Sequence, residues 1–227
     1  MREPRTDFEN SAIFTFAHDL RQPLRAILLQ SQTLLRRETF DAGVVAEALN
    51  GIIAAARLQD NLIASVVEYS DADPGAPGTS SQSLALAVEG ALMRVESIRA
   101  ASGGRISVPH LPEAQVSPAV GTILGKLLGN ALKFYPAGSH PDVSVSAEMD
   151  GEYVHLSVTD AGIGVPSEYR LQVFEPFIRV HPASTSPGHG MGLAISRRLT
   201  ECIEGQIEIV DPPLGVGTRV VLRAPVL

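Results

Sequence analysis

The sequence predicts an α+β chain in two parts. The first is an antiparallel helical hairpin that forms a dimeric four-helix bundle, and the second is a set of helices layered on a sheet. Three observations predict this. Apolar residues recur at helical spacing through the first seventy positions, a stretch rich in proline and glycine follows, and beyond it clustered alternating segments are interspersed with shorter helical ones. The chain has 227 residues, room for two small domains at roughly 100–200 residues each.

In chain order, Ile13, Ala17, Leu20, Leu24, Ile27 and Leu34 form one apolar stripe on a helix from about Asp7 to Glu38. Such a helix would be roughly 45–50 Å long at 1.5 Å per residue, too long to be buried within so small a chain. Thr39 to Gly43 interrupt it, with Asp41 as a plausible N-cap for the next helix. That helix carries a second stripe: Val45, Leu49, Ile52, Ala56, Ile63 and Val66. One hairpin cannot enclose its own stripes, so a homodimer is expected. The domains are then 1–72, a linker at 73–81, and 82–227. The second domain reads as a helix at 86–101, a strand at 105–108, a helix at 118–134, strands at 142–149 and 153–159, a long Gly/Pro-containing segment at 161–190, a helix at 193–203, and strands near 206–210 and 218–223. Asp150-Gly151 marks the turn between the first two long strands.

Composition removes several function classes. Formal charge is −7 with no basic run, which disfavours binding to nucleic acid. A single cysteine, Cys202, excludes an internal disulfide framework and a CxxC zinc site. No apolar run approaches the roughly 18–20 residues that span a bilayer, and the first residues lack the apolar core of a secretory signal. A cytoplasmic protein with no membrane segment is expected.

Four segments carry chemistry. In Phe16-Ala17-His18-Asp19-Leu20-Arg21-Gln22-Pro23-Leu24, His18 lies one position off the stripe, so its imidazole faces solvent as a candidate nucleophile. Asp19 could accept the other ring N–H, and Pro23 deprives the carbonyl of Asp19 of its helical donor. In Lys126-Leu127-Leu128-Gly129-Asn130-Ala131-Leu132-Lys133-Phe134, an amide oxygen able to ligate Mg²⁺ and an ammonium able to reach phosphate share one helical face. Asp160-Ala161-Gly162-Ile163-Gly164 places a carboxylate at a strand end, where it can accept the amine of a base, beside glycines that admit close approach. Gly188-His189-Gly190-Met191-Gly192 enters a helix and offers backbone N–H groups to phosphates. Each alone is also explained by an ordinary surface histidine, polar helix edge, tight turn or helix entry.

Taken in order, these segments resemble the core of sensor histidine kinases of two-component systems over nearly the whole chain. His18-Asp19-Leu20-Arg21 with Pro23-Leu24 looks like the phosphoacceptor box, and Asn130 with Lys133-Phe134 like the asparagine box. The stretch Asp160 to Gly164 is similar to the first glycine box, and Phe174-Glu175-Pro176-Phe177 to the phenylalanine box of the lid. Gly188 to Leu193 resembles the second glycine box, and Gly215-Val216-Gly217-Thr218 the last. The resemblance implies a phosphotransfer hairpin followed by an ATP-binding α/β sandwich of the Bergerat type. It further implies ATP and Mg²⁺ as cofactors, a response-regulator receiver domain as partner, and an upstream sensor domain or sensory partner. In it Asp160 would hold the adenine amine, Asn130 the metal, Lys133 phosphate, and the glycines from Gly188 to Gly192 a lid, with Thr218 close to the base.

The sequence departs from the family pattern in three places. Lys126 stands where the asparagine box usually opens with a second asparagine, Gln22 stands where Thr or Asn is usual, and Val116-Ser117-Pro118 lacks a common acidic residue. The expected activity is ATP-dependent phosphorylation of His18 and transfer to a receiver aspartate, with weak phosphatase activity through Gln22. The alternative is a histidine phosphotransfer protein whose ATPase-like domain is vestigial and used for docking.

Overall fold

The computed structural model describes residues 7–36, 41–72, 80–180, 189–213 and 215–227, with side chains from residue 17 onward. It divides into two compact units, one ending at Glu68 and the other starting at Tyr69.

The first unit is built on α1 (Asp7–Leu35) and α2 (Ala42–Asp71). Helix α1 runs on through Pro23, which is buried. Asp41 starts α2 as the sequence leads one to expect: its Oδ1 accepts the N–H of Gly43 at 2.7 Å and that of Val44 at 3.4 Å. Close approach of the helices is visible at Gly51, where the Gln30 side chain lies in the space a Cβ would need. The apolar stripes are broader than one neighbouring helix can cover. Leu20, Ile27, Leu34, Val45, Ile52 and Val66 are partly covered, whereas Leu24, Leu28, Leu49, Ile53 and Ile63 remain exposed. The apolar arc on each helix is therefore split between a covered and an uncovered face. The expected helix end at Glu38 and the residues before Asp41 lie outside the described segments.

In the second unit, β1 (Gln82–Ser83) leads into α3 (Leu84–Ser102), followed by β2 (Arg105–Ser107), β3 (Gln115–Val116), α4 (Ala119–Ala131), β4 (Asp142–Asp150), β5 (Tyr153–Asp160), α5 (Gly192–Cys202), β6 (Gln206–Val210) and β7 (Thr218–Pro225). The main sheet has the order β2-β4-β5-β7-β6, parallel only between β2 and β4. One face bears Val143, Val145, Val154, Leu156, Val158, Val220, Leu222 and Ala224, all buried against residues of α3 and α4 such as Leu84, Val88, Ile123 and Leu128. This is a mixed α+β layer with its helices on one face of the sheet.

Three local details differ from the sequence reading. Helix α3 starts two residues early because Ser83 caps it, its hydroxyl accepting the N–H of Leu86. The two-residue strand β1 pairs with β3, and pairs this short leave no alternating pattern to read. The β4–β5 turn is Gly151-Glu152, since Asp150 pairs with Tyr153. Gly151 alone has positive φ (60°), the glycine-first pattern of a II′ connection.

Candidate functional site

Alternation along β5 decides where its last residue points. Val154, Leu156 and Val158 face the helices, so Asp160, two residues further, faces the same side. It pairs directly with Thr218, the first residue of β7, in an antiparallel register. Asp160 Oδ1 accepts the backbone N–H of Gly162 at 2.8 Å and of Thr218 at 3.2 Å, and the Thr218 hydroxyl adds a third hydrogen bond. Burial nevertheless holds its carboxyl above the usual carboxylate range, the hydrogen bonds from Gly162 and Thr218 offsetting only part of the desolvation.

The glycines keep this end of the sheet tight against the end of α4. Ile163 donates its N–H to the Phe134 carbonyl at 3.1 Å. A Cβ on Gly162 would meet that same carbonyl and come within 2.6 Å of Asp160 Oδ1, so no other residue fits there. Gly164 and Gly217, both at positive φ, approach each other across the two loops. Asp160, Gly162, Gly164, Phe134 and Thr218 thus form one cluster.

A second cluster lies along α4. Asn130 occupies its last turn and stands 3.5 Å from where a Cβ of Gly192, the first residue of α5, would be. Beyond α4 the chain keeps a helical turn, with the N–H groups of Lys133 and Phe134 both donating to the Asn130 carbonyl. Lys133 is partly buried, and its ammonium is held below the usual lysine range, first by desolvation and then by repulsion from Lys126. Gly190 accepts the N–H of Phe177 at 3.1 Å, which joins the phenylalanine segment to the entry of α5. Gly188 lies outside the described residues.

His18, Asp19 and Gln22 belong to the first unit, on α1. The His18 side chain is 54% exposed and its Nδ1 lies 3.5 Å from Asp19 Oδ1, a loose electrostatic contact rather than a well-formed hydrogen bond. Gln22 is exposed one turn further along.

The donor set suits a magnesium–nucleotide: an ionisable, desolvated acceptor at one end, and an amide oxygen with a cation at the other. Sequence reasoning missed Gly129. It sits in α4 as a buried residue, yet apart from its chain neighbours and its own helix backbone no atom of the described residues lies within 4 Å of where its Cβ would be. Gly121 and Gly125, which precede it at four-residue intervals, meet Ala87 and Arg94 of α3. A glycine inside a helix costs about 1 kcal/mol relative to alanine, and its unexplained presence was the available signal. A separate hollow of about 340 Å³ on the opposite sheet face is lined by Ser146, His155, Ser157 and Arg219. It shares no residue with these clusters.

Comparison with known proteins matches residues 115–227 to the family model described as histidine kinase-, DNA gyrase B-, and HSP90-like ATPase. Residues 14–75 match the His Kinase A (phospho-acceptor) domain. The chain is 30% identical to cyanobacterial phytochrome A of a Nostoc species over 94% of its own length and 28% of that protein's. It is 28% identical to the adaptive-response sensory kinase SasA of a Synechococcus species over 97% of its length and 60% of that protein's. The chain thus spans from 28% to 60% of these relatives' own length. Among solved structures, full-length ShkA in complex with AMPPNP superposes with a TM-score of 0.64 at 26% identity, over 96% of this chain and 46% of that one. The Acinetobacter baumannii histidine kinase AdeS, at 17% identity, shares the fold with a TM-score of 0.67 over 92% of this chain and 97% of that one.

Proposed function

Because this chain belongs to the sensor histidine kinases of two-component systems, we propose that it binds Mg·ATP, phosphorylates its own His18 and passes the phosphoryl group to an aspartate of a response-regulator receiver domain. The observation that carries the reading is Asp160. A half-buried carboxylate kept at a desolvation cost, at the end of a sheet and beside glycines, fits a ligand rather than the fold.

In this reading Asp160 accepts the exocyclic amine of adenine, with Gly162, Gly164, Phe134 and Thr218 around the base. Asn130 offers Mg²⁺ a hard oxygen and Lys133 offers phosphate a point charge. Bound Mg²⁺ would neutralise charge on the phosphates. Gly188, Gly190 and Gly192 contribute backbone N–H groups as a lid. His18 attacks the γ-phosphorus in line, forming an N–P bond as the bond to the bridging oxygen breaks and ADP leaves. Asp19 stabilises the positive charge that develops on the ring, and catalysis is mostly positioning. Gln22 presents an amide with both donor and acceptor to the same solvent face, enough to hold a water for slow dephosphorylation of the regulator.

The uncovered apolar face of the hairpin supports a homodimer, with the phosphotransfer unit at 1–72, a linker at 73–81 and the catalytic unit at 82–227. Input comes from a sensor domain or sensory partner, and we place the chain in the cytoplasm. No helix among the described residues is long and apolar enough to cross a membrane. The test is incubation with γ-labelled Mg·ATP followed by addition of candidate receiver domains. An acid-labile label should form and then move to a receiver. A chain that takes no label from ATP, yet accepts it from a phosphorylated receiver, would instead be a phosphotransfer protein with a vestigial ATPase domain.

A further inference from the structure

The outer face of the main sheet, away from α3 and α4, is built from the other half of each strand's alternation. Ser146 of β4 pairs with Ser157 of β5, and the next row places Glu148 opposite His155. Short side chains in one row with longer ones around them leave the hollow of about 340 Å³, within the roughly 300–1,000 Å³ of small-molecule clefts. Its floor is polar and underused. Ser157 is only 4% exposed, and its Oγ accepts Arg219 Nη2 at 3.1 Å and Nε at 3.4 Å, which leaves its own O–H to donate. The Ser146 hydroxyl has no partner among the described residues. His155 Nε2 is buried without a hydrogen bond, although Asp150 Oδ2 stands 3.3 Å away. The two ends of the hollow carry opposite charges that do not meet. The Arg219 side chain bonds only to Ser157, and Glu148 makes no ion pair among the described residues. Arg223, another cation on this face, is stacked on the Tyr153 ring at 3.3 Å.

We propose that this hollow is a second ligand site, separate from the nucleotide pocket, which binds a dipeptide with free ends: its carboxylate on Arg219 and its ammonium at Glu148 and Asp150. The spacing selects the length. Strands rise about 3.3 Å per residue, so the Ser146–Ser157 row, over which Arg219 lies, is about 7 Å from the Glu148–His155 row. An α-amino acid, with its nitrogen and carboxyl carbon about 2.5 Å apart, is too short, whereas an extended dipeptide spans about 7 Å. The floor selects the chemistry between the charges. A peptide N–H and C=O can meet the serine hydroxyls and His155 Nε2, which an alkyl chain of the same length would leave unpaired at a cost. Arg219 spends two of its five N–H donors on Ser157 and keeps the rest of its fork for a carboxylate. A polyanion fits poorly, because Glu148 and Asp150 line the same hollow.

The experiment is NMR titration of the ¹⁵N-labelled full chain with diglycine, following the amides of Ser157 and Arg219. Wild type should bind with a dissociation constant of about 1 mM or tighter. N-acetyl-diglycine, diglycine amide, glycine and 6-aminohexanoate each lack one required feature and should bind at least roughly tenfold more weakly. Arg219→Gln removes the carboxylate end and should cost diglycine a similar factor. Glu148→Gln, at an exposed position that leaves Ser157 untouched, should weaken diglycine equally while leaving the residual binding of N-acetyl-diglycine unchanged. That pattern separates a lost contact from a damaged fold. Absence of diglycine binding to wild type overturns the proposal. So does equal binding of diglycine and N-acetyl-diglycine, which would make the hollow a simple anion site, or equal binding of 6-aminohexanoate, which would remove the peptide group from recognition. Diglycine affinity undiminished in Glu148→Gln would place any binding elsewhere and sink the assignment.

Discussion

In the helical hairpin, Leu24, Leu28, Leu49, Ile53 and Ile63 each keep 45–51% of their surface exposed, whereas in the sheet domain Leu84, Ile123, Val145, Leu156 and Leu222 are completely buried. Both regions are patterned clearly, but the patterns are completed differently. The sheet domain closes its core with its own α3 and α4, and its strands need nothing further. A two-helix hairpin has one neighbour per helix, so an arc wider than roughly 100° stays partly uncovered. The difference separates autonomy from association. One unit closes its own core beside the candidate nucleotide pocket, and the other leaves an apolar face that the proposed second copy would cover.

The largest expected effect is on association. Replacing Leu28 and Ile53 together by lysine would place four charges in the dimer interface, each with a desolvation penalty of several kcal/mol. The dimer dissociation constant should rise by roughly a thousandfold or more, read by sedimentation, with the thermal transition of the sheet domain unchanged. A variant that stays dimeric breaks the comparison. Next in size is Leu156→Ala, expected to cost about 2–5 kcal/mol in the sheet domain alone. Loss of hairpin helicity in the same transition would show that the two units are not independent.

A smaller effect sets binding against stability at Asp160. Asp160→Asn retains an oxygen acceptor for Gly162 and Thr218 but removes the half-buried charge, so ATP affinity should fall roughly 10–100-fold. The folded pKa of Asp160 is raised, so its contribution to stability is fully present below the unfolded carboxylate range and is lost as pH rises through the folded value. At neutral pH the variant should therefore melt at or above the wild-type temperature. For the same reason wild-type ATP affinity should decline on acidification at a higher pH than an ordinary aspartate would cause. A variant that melts well below wild type would mean that Asp160 serves the fold.

The elements legible in the sequence were those with a sustained period. The 3.6-residue stripes gave α1 and α2, alternation gave β4, β5 and β7, and the Asp41 cap followed from residue type. The rest depends on contacts remote in sequence. Pairing of β1 with β3 joins two-residue segments, and the Gly151-Glu152 turn sits one residue on from the Asp-Gly signal because the register with Tyr153 decides it. The short 3-10 turns at Ser167–Tyr169 and Gln172–Phe174 lie in a segment without periodicity, and burial of Val173 and Phe174 holds the second. At the site, Asp160 and Asn130 stood out by residue type and spacing. The hydrogen bond from Thr218, 58 positions away, and the recess beside Gly129 did not.

The central claim is that a γ-phosphoryl group from a nucleotide held at Asp160 and Asn130 ends on His18. Mass-spectrometric mapping of the acid-labile adduct after incubation with Mg·ATP tests it most directly, with His18→Gln and Asp160→Asn alongside. The account predicts a single phosphorylated peptide containing His18, absent in His18→Gln and strongly reduced in Asp160→Asn. His18→Gln should keep its affinity for ATP. Phosphate found on any other residue, or a His18 adduct formed undiminished by Asp160→Asn, would contradict it.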